Sequence, residues 1–563
     1  MPMKRMRSIL CLLLALLCLI GCSNGAVTEN PTTAPDSSGA ALDTQPIVVQ
    51  TAARTEAALA QIKTLGESPD DNYRTFYEVF VYSFCDSDGD GIGDLNGLTS
   101  RLDYLQNMGI TGIWLMPIHP SQSYHKYDVA DYYDIDPQYG TLEDFDAFMA
   151  ACSERGINVI TDLVLNHTGN DHEWFTTAVD YLKNLPAGAE PSAEACKYVG
   201  YYYFNQEGGA GWHQIDGTDW YYEGQFSPHM PDLDLANPQV RAEIAAIMEF
   251  WLNRGVSGFR LDAVKEFYSG NIAANVEVLS WIQETATSIK EDCYLVGECW
   301  DSFGAVSQYY TSGLTSFFDF PFGNSNGKIP SVLRAAGTEN TVASYAKALQ
   351  QANEAYSEAN PDYIDAPFLS NHDVGRIAGF VNRDVNKMKL AGAMNIFMSG
   401  SCFIYYGEEI GMPGSGNDPS KRAPMYWNAA RDNGTTNPPP ECELPEEYPL
   451  GALEEQVGDD ASIYNYYRQA IAIRNAMPVI ARGDTTAEEA LNVNCVSAQR
   501  KTWGDEACII LMNINIEAAQ VDLSAYEGWI MAASLSADGG EIAMDGTALN
   551  LPPFGTAILV PAA

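Results

Sequence analysis

The chain has 563 residues, more than one hydrophobic core usually organises, so we expect several domains. Its composition, 46% hydrophobic and 19% charged, is that of a globular protein and excludes wholesale disorder, collagen and a coiled coil. With 74 acidic against 31 basic residues, the net charge of −43 repels phosphate backbones, so we expect no nucleic-acid partner.

The first 22 residues have the pattern of an export signal. Positive charges within Lys4–Arg7 precede an apolar run over 9–20, which is too short to span a bilayer, for which roughly 20 residues are needed. The run ends in a segment that resembles the cleavage box of bacterial lipoproteins, in which Cys22 carries the lipid. We predict a signal peptide over 1–22 and a protein held at the extracellular face of a bacterial membrane by this lipid alone. The alternative is an ordinary secreted protein.

Residues 23–50 are rich in Ser, Thr, Pro, Ala, Asn and Gly and contain no Lys or Arg, a composition that buries little surface. We predict a flexible tether over 23–72, within which Arg54–Leu65 is a candidate helix leading into the fold. Nine of the 12 cysteines follow Cys22, and none forms a C-x-x-C or Cys/His spacing, so we expect no zinc or redox site.

From about residue 76 the sequence repeats a short apolar strand, a loop and an amphipathic helix closed by glycine. The clearest helices end at Gly109, Gly156 and Gly255, each just before an apolar strand, and this repetition predicts parallel strands. Eight strands alternating with helices predict a (β/α)8 TIM barrel over 73–167 and 234–480. The strands are centred near Val81, Trp114, Ile160, Phe259, Val296, Phe317, Phe368 and Phe403.

Two segments do not fit the repeat. The centres of strands three and four are 99 residues apart, too far for a crossover connection, which predicts an inserted domain over 168–233. After the last helix the sequence alternates like short antiparallel strands, of which Cys508–Met512 and Ala557–Val560 are the clearest. We therefore predict a C-terminal antiparallel β-sandwich domain over 481–563.

Polar residues cluster where the predicted barrel strands end, which is where the chemistry of such a barrel sits. Any one of them has an ordinary alternative role, because a strand-end Asp often caps a helix and a buried His is often structural. Together they bring three carboxylates, two imidazoles, a guanidinium and an ammonium group to one mouth. They are His167 after strand three, Arg260, Asp262 and Lys265 at strand four, Glu298 after strand five, and His372 and Asp373 after strand seven.

These four segments resemble the signature regions of the α-amylase superfamily, glycoside hydrolase family 13, and the resemblance covers about residues 76–563. It implies a retaining α-glucosidic mechanism with Asp262 as nucleophile, Glu298 as general acid/base and Asp373 as transition-state stabiliser. It also implies that His167 and His372 bind sugar hydroxyls and that Tyr127 stacks on a sugar ring. The full set of implied substrate-binding residues is Tyr127, Asp128, His167, Arg260, Lys265, His372 and Arg422.

The chemistry of the residues agrees with these roles. Retaining hydrolysis needs one ionised and one protonated carboxyl group. Arg260 lies two residues before Asp262 on a strand, so both face the same side and the positive charge favours the ionised form of Asp262. Glu298 must keep a proton near neutral pH, which requires a raised pKa in a dry setting.

An acidic loop follows strand one, with carboxylates at alternate positions that gather the hard oxygen ligands preferred by Ca²⁺. Gly97 at the twelfth position excludes an EF-hand, which needs Glu there. The loop resembles the single-calcium loop of superfamily members near the oligo-1,6-glucosidases; the alternative is a solvated acidic turn. A second calcium near Asn166 is not expected, because Glu266 stands where α-amylases with that site usually carry His. The implied ligands are the side chains of Asp86, Asp88, Asp90 and Asp94 and the carbonyl of Ile92.

We expect a monomeric, endo-acting α-amylase that hydrolyses α-1,4 bonds in starch, glycogen and maltooligosaccharides. Ala263, where α-1,6-cutting relatives typically carry Val, leaves room for a chain to continue past the scissile bond. Alternatives in the same superfamily are an α-glucosidase, a neopullulanase or a transglycosylase, because Met230–Asp234 resembles a signature intermediate between groups. A non-catalytic glucan-binding surface protein is disfavoured, since all three acids are present. The inserted domain offers aromatic candidates for one wall of the cleft, with packing inside the inserted domain itself as the equal alternative; they are Trp212, Trp220, Tyr221 and Tyr222.

Overall fold

A computed structural model describes residues 52–186, 188–445 and 450–562. The predicted signal peptide (1–22), the lipidation site Cys22 and most of the predicted tether lie outside these residues, so they stay predictions. In the part of the chain that is described, no helix combines the length and the apolar character needed to cross a membrane.

The described residues form 16 α-helices and 18 β-strands, numbered in chain order. The helices are α1 Ala53–Ile62, α2 Leu95–Ser100, α3 Leu102–Met108, α4 Leu142–Glu154, α5 Glu173–Lys183, α6 Pro238–Asn253, α7 Ile272–Ile289, α8 Phe303–Tyr309, α9 Lys328–Arg334, α10 Glu339–Ala359, α11 Ile377–Phe380, α12 Val385–Ile396, α13 Asp418–Lys421, α14 Leu453–Val457, α15 Ile463–Ala476 and α16 Pro478–Arg482. The strands are β1 Thr75–Val79, β2 Gly112–Leu115, β3 Asn158–Leu163, β4 Phe204–Asn205, β5 Trp212–Gln214, β6 Tyr221–Glu223, β7 Gly258–Leu261, β8 Tyr294–Gly297, β9 Ser316–Phe317, β10 Cys402–Tyr405, β11 Asp484–Ala487, β12 Val496–Trp503, β13 Glu506–Asn513, β14 Ala519–Asp522, β15 Trp529–Ser536, β16 Ala543–Asp545, β17 Ala548–Leu551 and β18 Gly555–Pro561.

Seven strands form one parallel sheet in the order β10-β1-β2-β3-β7-β8-β9. The sheet closes on itself through two parallel bridges, from Phe318 to Ala366 and from Phe368 to Phe403, which take the place of the seventh barrel strand. Helices follow the strands along the chain, as in the predicted repeat. The predicted (β/α)8 barrel is thereby confirmed.

The predicted centre of strand one was wrong by a few residues, whereas that of strand seven was confirmed, although no continuous strand forms there. Val81 lies in a 3₁₀ turn, because β1 ends at Val79 and the chain turns at once toward the acidic loop. The stretch around Phe368 makes only isolated bridges, since the preceding Pro367 has no N–H to donate to a continuous ladder.

The interior of the barrel is filled by large apolar side chains. The ring of Phe76 stacks on those of Phe403 and Tyr294, with centroids 4.8 and 5.3 Å away. Gly112 allows this packing, because a Cβ there would lie 2.4 Å from the Phe76 ring. The filled interior leaves the carboxyl ends of the strands as the place where polar side chains gather.

The inserted and C-terminal segments form sheets of their own. In the inserted segment, α5 precedes a small antiparallel sheet in the order β4-β6-β5. The C-terminal segment forms two antiparallel sheets, β11-β12-β13-β18-β15 and β14-β17-β16, which share an apolar core that includes Val496, Ile509 and Leu549. The predicted fold class is confirmed, and the residue limits given for the barrel, the inserted domain and the C-terminal domain stay predictions.

The predicted flexible tether, 23–72, reaches too far into the chain. Helix α1 packs against α15, and the amide and hydroxyl of the buried Thr55 donate to Asp460 Oδ1 at 2.8 and 2.9 Å. Glu56 of the same helix pairs with Arg468 at 2.8 Å. Helix α1 is therefore part of the folded unit, because these buried and paired polar groups fix its position.

Candidate active site

A cleft with a volume of about 740 Å³ opens at the carboxyl ends of the barrel strands. The three predicted catalytic acids, Asp262, Glu298 and Asp373, all line it, although they come from widely separated parts of the chain. Arg260 and His372 are buried directly against these acids. The other predicted substrate-binding residues that line the cleft are Tyr127, His167, Lys265 and Arg422.

One buried guanidinium joins carboxylates from three neighbouring strands. Arg260 of β7 pairs in register with Asp162 of β3, and its Nη1 donates to the two Asp162 oxygens at 2.9 and 3.0 Å. The same Nη1 donates to Asp262 Oδ1 at 2.6 Å, while Nη2 lies 2.9 Å from Glu298 Oε2. Arg260 is therefore the common counter-ion of the predicted nucleophile and the predicted acid.

Glu298 has the setting expected of a proton donor. Burial raises its pKa, an effect that the charge of Arg260 opposes and that of Asp262 reinforces. Its Oε2 accepts a 3.0 Å hydrogen bond from the backbone N–H of Ala263. Ala263 has a φ of 45°, in the left-handed region that residues with a Cβ rarely adopt. The bent backbone after Asp262 thus brings an N–H group to the Glu298 carboxylate.

Asp373 is held through both of its carboxylate oxygens. Arg422 Nη2 donates to Oδ1 at 2.9 Å, and His372 Nε2 lies 3.0 Å from Oδ2. Burial acts to raise the pKa of Asp373, but the charges of His372, Arg422 and Arg260 outweigh it and hold the pKa below its usual range. Lys421 fixes the same loop by donating to the Asp373 carbonyl oxygen at 2.6 Å.

Tyr127 and His167 lie on two other sides of the cleft. The Tyr127 ring stacks on that of His372, with centroids 5.3 Å apart and an angle of 18° between the planes, and its hydroxyl donates to Asp162 Oδ2 at 3.0 Å. Burial lowers the pKa of His167, so this imidazole is neutral around pH 7. A neutral imidazole has both a donor and an acceptor, which suits contact with a sugar hydroxyl.

Two other predicted substrate-binding residues make contacts within the protein. Asp128 is buried, and its Oδ1 accepts hydrogen bonds from the hydroxyls of Ser121, at 2.6 Å, and Ser123. Lys265 Nζ donates to the Trp300 carbonyl oxygen at 3.0 Å and keeps a third of its side-chain surface exposed at the cleft. Asp128 therefore holds the loop that carries Tyr127, whereas Lys265 remains open to a ligand.

The wall contributed by the inserted domain differs from the predicted one. Phe226, Ser227 and Met230 of the inserted segment line the cleft, and so does Trp300 from the segment after Glu298. The exposed fractions of Phe226 and Trp300 are 48% and 47%, so both rings offer open surface. Sequence reasoning missed them because an aromatic residue looks the same whether it is buried or exposed. The residues predicted to form this wall, which pack in and beside the β4-β6-β5 sheet instead, are Trp212, Trp220, Tyr221 and Tyr222.

Sequence reasoning also missed Glu78, a buried carboxylate in the middle of β1. Its Oε1 lies 2.7 Å from Nδ1 of His372, on the side of the ring opposite Asp373. A charged residue within an otherwise apolar strand is the one local signal that points to it.

The acidic loop brings together three of its four predicted carboxylates. One oxygen from each of Asp86, Asp88 and Asp94 lies within 4.8 Å of the others. The Asp90 carboxylate is not in this group and instead accepts a 2.7 Å hydrogen bond from the N–H of Ile92. Three converging carboxylate oxygens in a tight loop are a donor set that fits Ca²⁺.

Comparison with known proteins adds independent information. The family model for the catalytic domain of α-amylases matches residues 78–483. "Alpha-amylase 3" of Dictyoglomus thermophilum is 38% identical over 449 residues, covering 78% of this chain and 84% of that protein. A probable α-glucosidase of Rhizobium meliloti is 28% identical over 505 residues, covering 79% of this chain and 90% of that protein. Among solved structures, Amy13B of Eubacterium rectale has a TM-score of 0.86 at 43% identity, covering 90% of this chain and 99% of that one.

Replacing Arg260 by Met is expected to destabilise the protein because it leaves buried carboxylates without their counter-ion. The expected loss in the free energy of unfolding near pH 7 is about 3–5 kcal/mol, measured by denaturant titration. At acid pH the orphaned carboxylates take up protons, so the difference from wild type shrinks. Arg260→Lys keeps the positive charge but not the two terminal nitrogens of the guanidinium, so it should lose less stability than Arg260→Met. An equal loss at both pH values would contradict this account of the charge cluster.

Proposed function

The chain belongs to the α-amylase family of glycoside hydrolases, and from this membership we propose that it cleaves internal α-1,4-glucosidic bonds in starch, glycogen and maltooligosaccharides. The observation that carries the proposal is the set of acids, Asp262, Glu298 and Asp373, at one cleft around the buried Arg260. Retaining hydrolysis needs a proton donor and an attacking carboxylate; Glu298, whose pKa burial raises, suits the first role, and Asp262, held at 2.6 Å by Arg260, suits the second.

In the proposed first step, Glu298 donates its proton to the glycosidic oxygen while Asp262 attacks the anomeric carbon. In the second, the Glu298 carboxylate takes a proton from water, whose oxygen displaces Asp262 and restores the α configuration. Asp373 stabilises the positive charge that develops on the sugar ring in between. The first step moves the negative charge from Asp262 to Glu298. Arg260 contacts both side chains, so it stays paired with that charge throughout the step.

We further propose that attack is internal rather than at a chain end. The small side chain of Ala263 leaves space on the acceptor side of the cleft. The open faces of Phe226 and Trp300 provide surfaces on which successive sugar rings can stack. A terminal α-glucosidase is the second candidate, supported by the similarity to the Rhizobium meliloti protein.

Two further proposals concern the setting of the enzyme. We propose that a lipid on Cys22 holds it at the extracellular face of the membrane, on the strength of the signal-like segment before that residue. We also propose that Asp86, Asp88 and Asp94 bind one Ca²⁺ that stabilises the loop after β1. In this proposal the ion acts on stability and takes no part in the chemical steps, and the catalytic unit works as a monomer.

Asp262→Ala and Glu298→Gln are each expected to lower kcat on maltooligosaccharides by several orders of magnitude. The first removes the covalent route and the second the proton donor. A glycosyl fluoride separates the two roles, because fluoride leaves with little protonation. Glu298→Gln should keep part of its activity on that substrate, and Asp262→Ala should not. The first product of wild type should be the α-anomer by NMR, and an initial β-anomer would rule out the retaining mechanism.

Internal attack predicts a specific product pattern. Iodine staining of starch should fall quickly while little reducing sugar is released, and a maltoheptaoside blocked at its non-reducing end should be cleaved. Asp262→Ala prepared in the same way is the control for contaminating activity. Resistance of the blocked substrate, together with fast hydrolysis of p-nitrophenyl α-glucoside, would identify the enzyme as a terminal α-glucosidase.

Calcium removal is expected to lower the melting temperature, because an ion that binds only the folded state stabilises it by about 2.7 kcal/mol at a hundredfold excess over Kd. Asp88→Ala should abolish most of this response in a thermal melt. Asp90→Ala should keep it, since the Asp90 carboxylate lies outside the cluster. Identical melting of wild type in chelator and in calcium would show that the loop does not bind the ion.

A further inference from the structure

The imidazole of His372 lies between two carboxylates from different parts of the chain. Its Nδ1 is 2.7 Å from Glu78 Oε1, and its Nε2 is 3.0 Å from Asp373 Oδ2. His372 is fully buried and Glu78 is 1% exposed, so no bulk water screens the contact on the Glu78 side. Glu78 has no place in the proposed chemical steps.

This arrangement constrains the protons on the ring. A neutral imidazole carries one N–H donor and one acceptor nitrogen, whereas an ionised carboxylate only accepts. With both carboxylates ionised, the imidazolium is the form of the ring that sets positive charge against both of them, at 2.7 Å on the Glu78 side and 3.0 Å on the Asp373 side. The hydroxyl of Tyr127, 2.7 Å from Nε2, is compatible with this state because it already donates to Asp162 and its oxygen can accept from the ring.

The other groups around the ring set the balance of charge. Burial acts to lower the pKa of His372, but Asp373 and Glu78 outweigh it and raise the pKa to about 9. The competing arrangement places the proton on Glu78 and leaves the ring neutral, and burial favours it by raising the pKa of Glu78. Against it, the backbone N–H of His372 also donates to Glu78 Oε1 at 3.4 Å, which favours the ionised carboxylate. The ring contacts Glu78 of β1, Trp114 of β2, Tyr127 after β2 and Asp373 beside it. The other charged groups that act on it or its neighbours are Asp162 of β3, Glu298 after β8, Arg260 of β7, which acts on Glu78, and Arg422, which donates to the His372 carbonyl oxygen.

We propose that Glu78 is a positioning residue that keeps His372 doubly protonated and thereby fixes the orientation of the Asp373 carboxylate. The inference deepens the proposed function and rests on it, because it explains how the transition-state stabiliser is held. Arg422 secures one oxygen of Asp373 from the open side of the cleft, and the imidazolium secures the other from within the barrel. Glu78 acts only through His372 and does not reach the cleft surface.

The proton state of His372 can be read without any substrate. In protein labelled with ¹⁵N-histidine, NMR distinguishes protonated from unprotonated ring nitrogens, and a His372→Gln variant identifies the signals. We expect both nitrogens of His372 to be protonated in wild type from about pH 6 to above neutrality. In Glu78→Gln, deprotonation should move to lower pH, with the ratio of charged to neutral ring at a given pH falling by about tenfold or more. A neutral ring in wild type near pH 7, or an unchanged titration in Glu78→Gln, would overturn the proposal.

Activity provides the second measurement. A glycosyl fluoride makes the first step insensitive to the protonation of Glu298, so the alkaline loss of kcat then reports on the groups around Asp373. We expect Glu78→Gln to match wild type in melting temperature and KM, but its kcat should begin to fall at a lower pH than the kcat of wild type. Glu78→Asp keeps the negative charge and should therefore restore part of the alkaline activity. A uniform loss of kcat at every pH, or no rescue by Glu78→Asp, would contradict the positioning role. If wild type cleaves no α-glucoside at all, the proposed function fails while the NMR result still decides the state of His372.

Discussion

The charge of one buried guanidinium is the constraint on which the rest of the site depends. Arg260 has no contact with solvent, and such a charge is tolerated inside a barrel because carboxylates from β3, β7 and β8 meet it. The parallel register of these strands is therefore a condition for the site. A slip of one residue would turn alternate side chains to the other face of the sheet and leave the charge unpaired. The same interaction that arranges the acids for chemistry thus penalises incorrect pairings of the strands.

Much of the fold and of the site was predictable because its signals are local. Helix, glycine and strand follow one another at short range, and Gly109 takes the left-handed conformation that ends a helix. The acids stand at strand ends, so their convergence follows from a parallel barrel without knowledge of any contact. Asp262, Glu298 and Asp373 could therefore be assigned to one cleft before any distance was known.

What could not be predicted depends on contacts between distant residues. Glu78 and His372 are separated by 294 positions, and nothing near either residue shows that the other will lie beside it. The exposure of Phe226 and Trp300 depends on which distant segments pack against them, whereas Trp212, Tyr221 and Tyr222 lie in the strands of the small inserted sheet. The extent of the tether was misjudged for a similar reason, since Glu56 pairs with Arg468, which lies 412 positions further along the chain.

The left-handed backbone at Ala263 connects the proposed room for substrate with the position of the proton donor. This conformation costs an L-residue about 1–2 kcal/mol, and branching at Cβ makes it harder to adopt. Ala263, which lines the cleft and which we propose leaves room on the acceptor side, is also the residue whose N–H contacts Glu298. A change that narrows the cleft therefore tends to shift the acid as well. A substitution at this position therefore acts on the room for substrate and on the setting of the proton donor together, so we expect linkage preference and rate to change together.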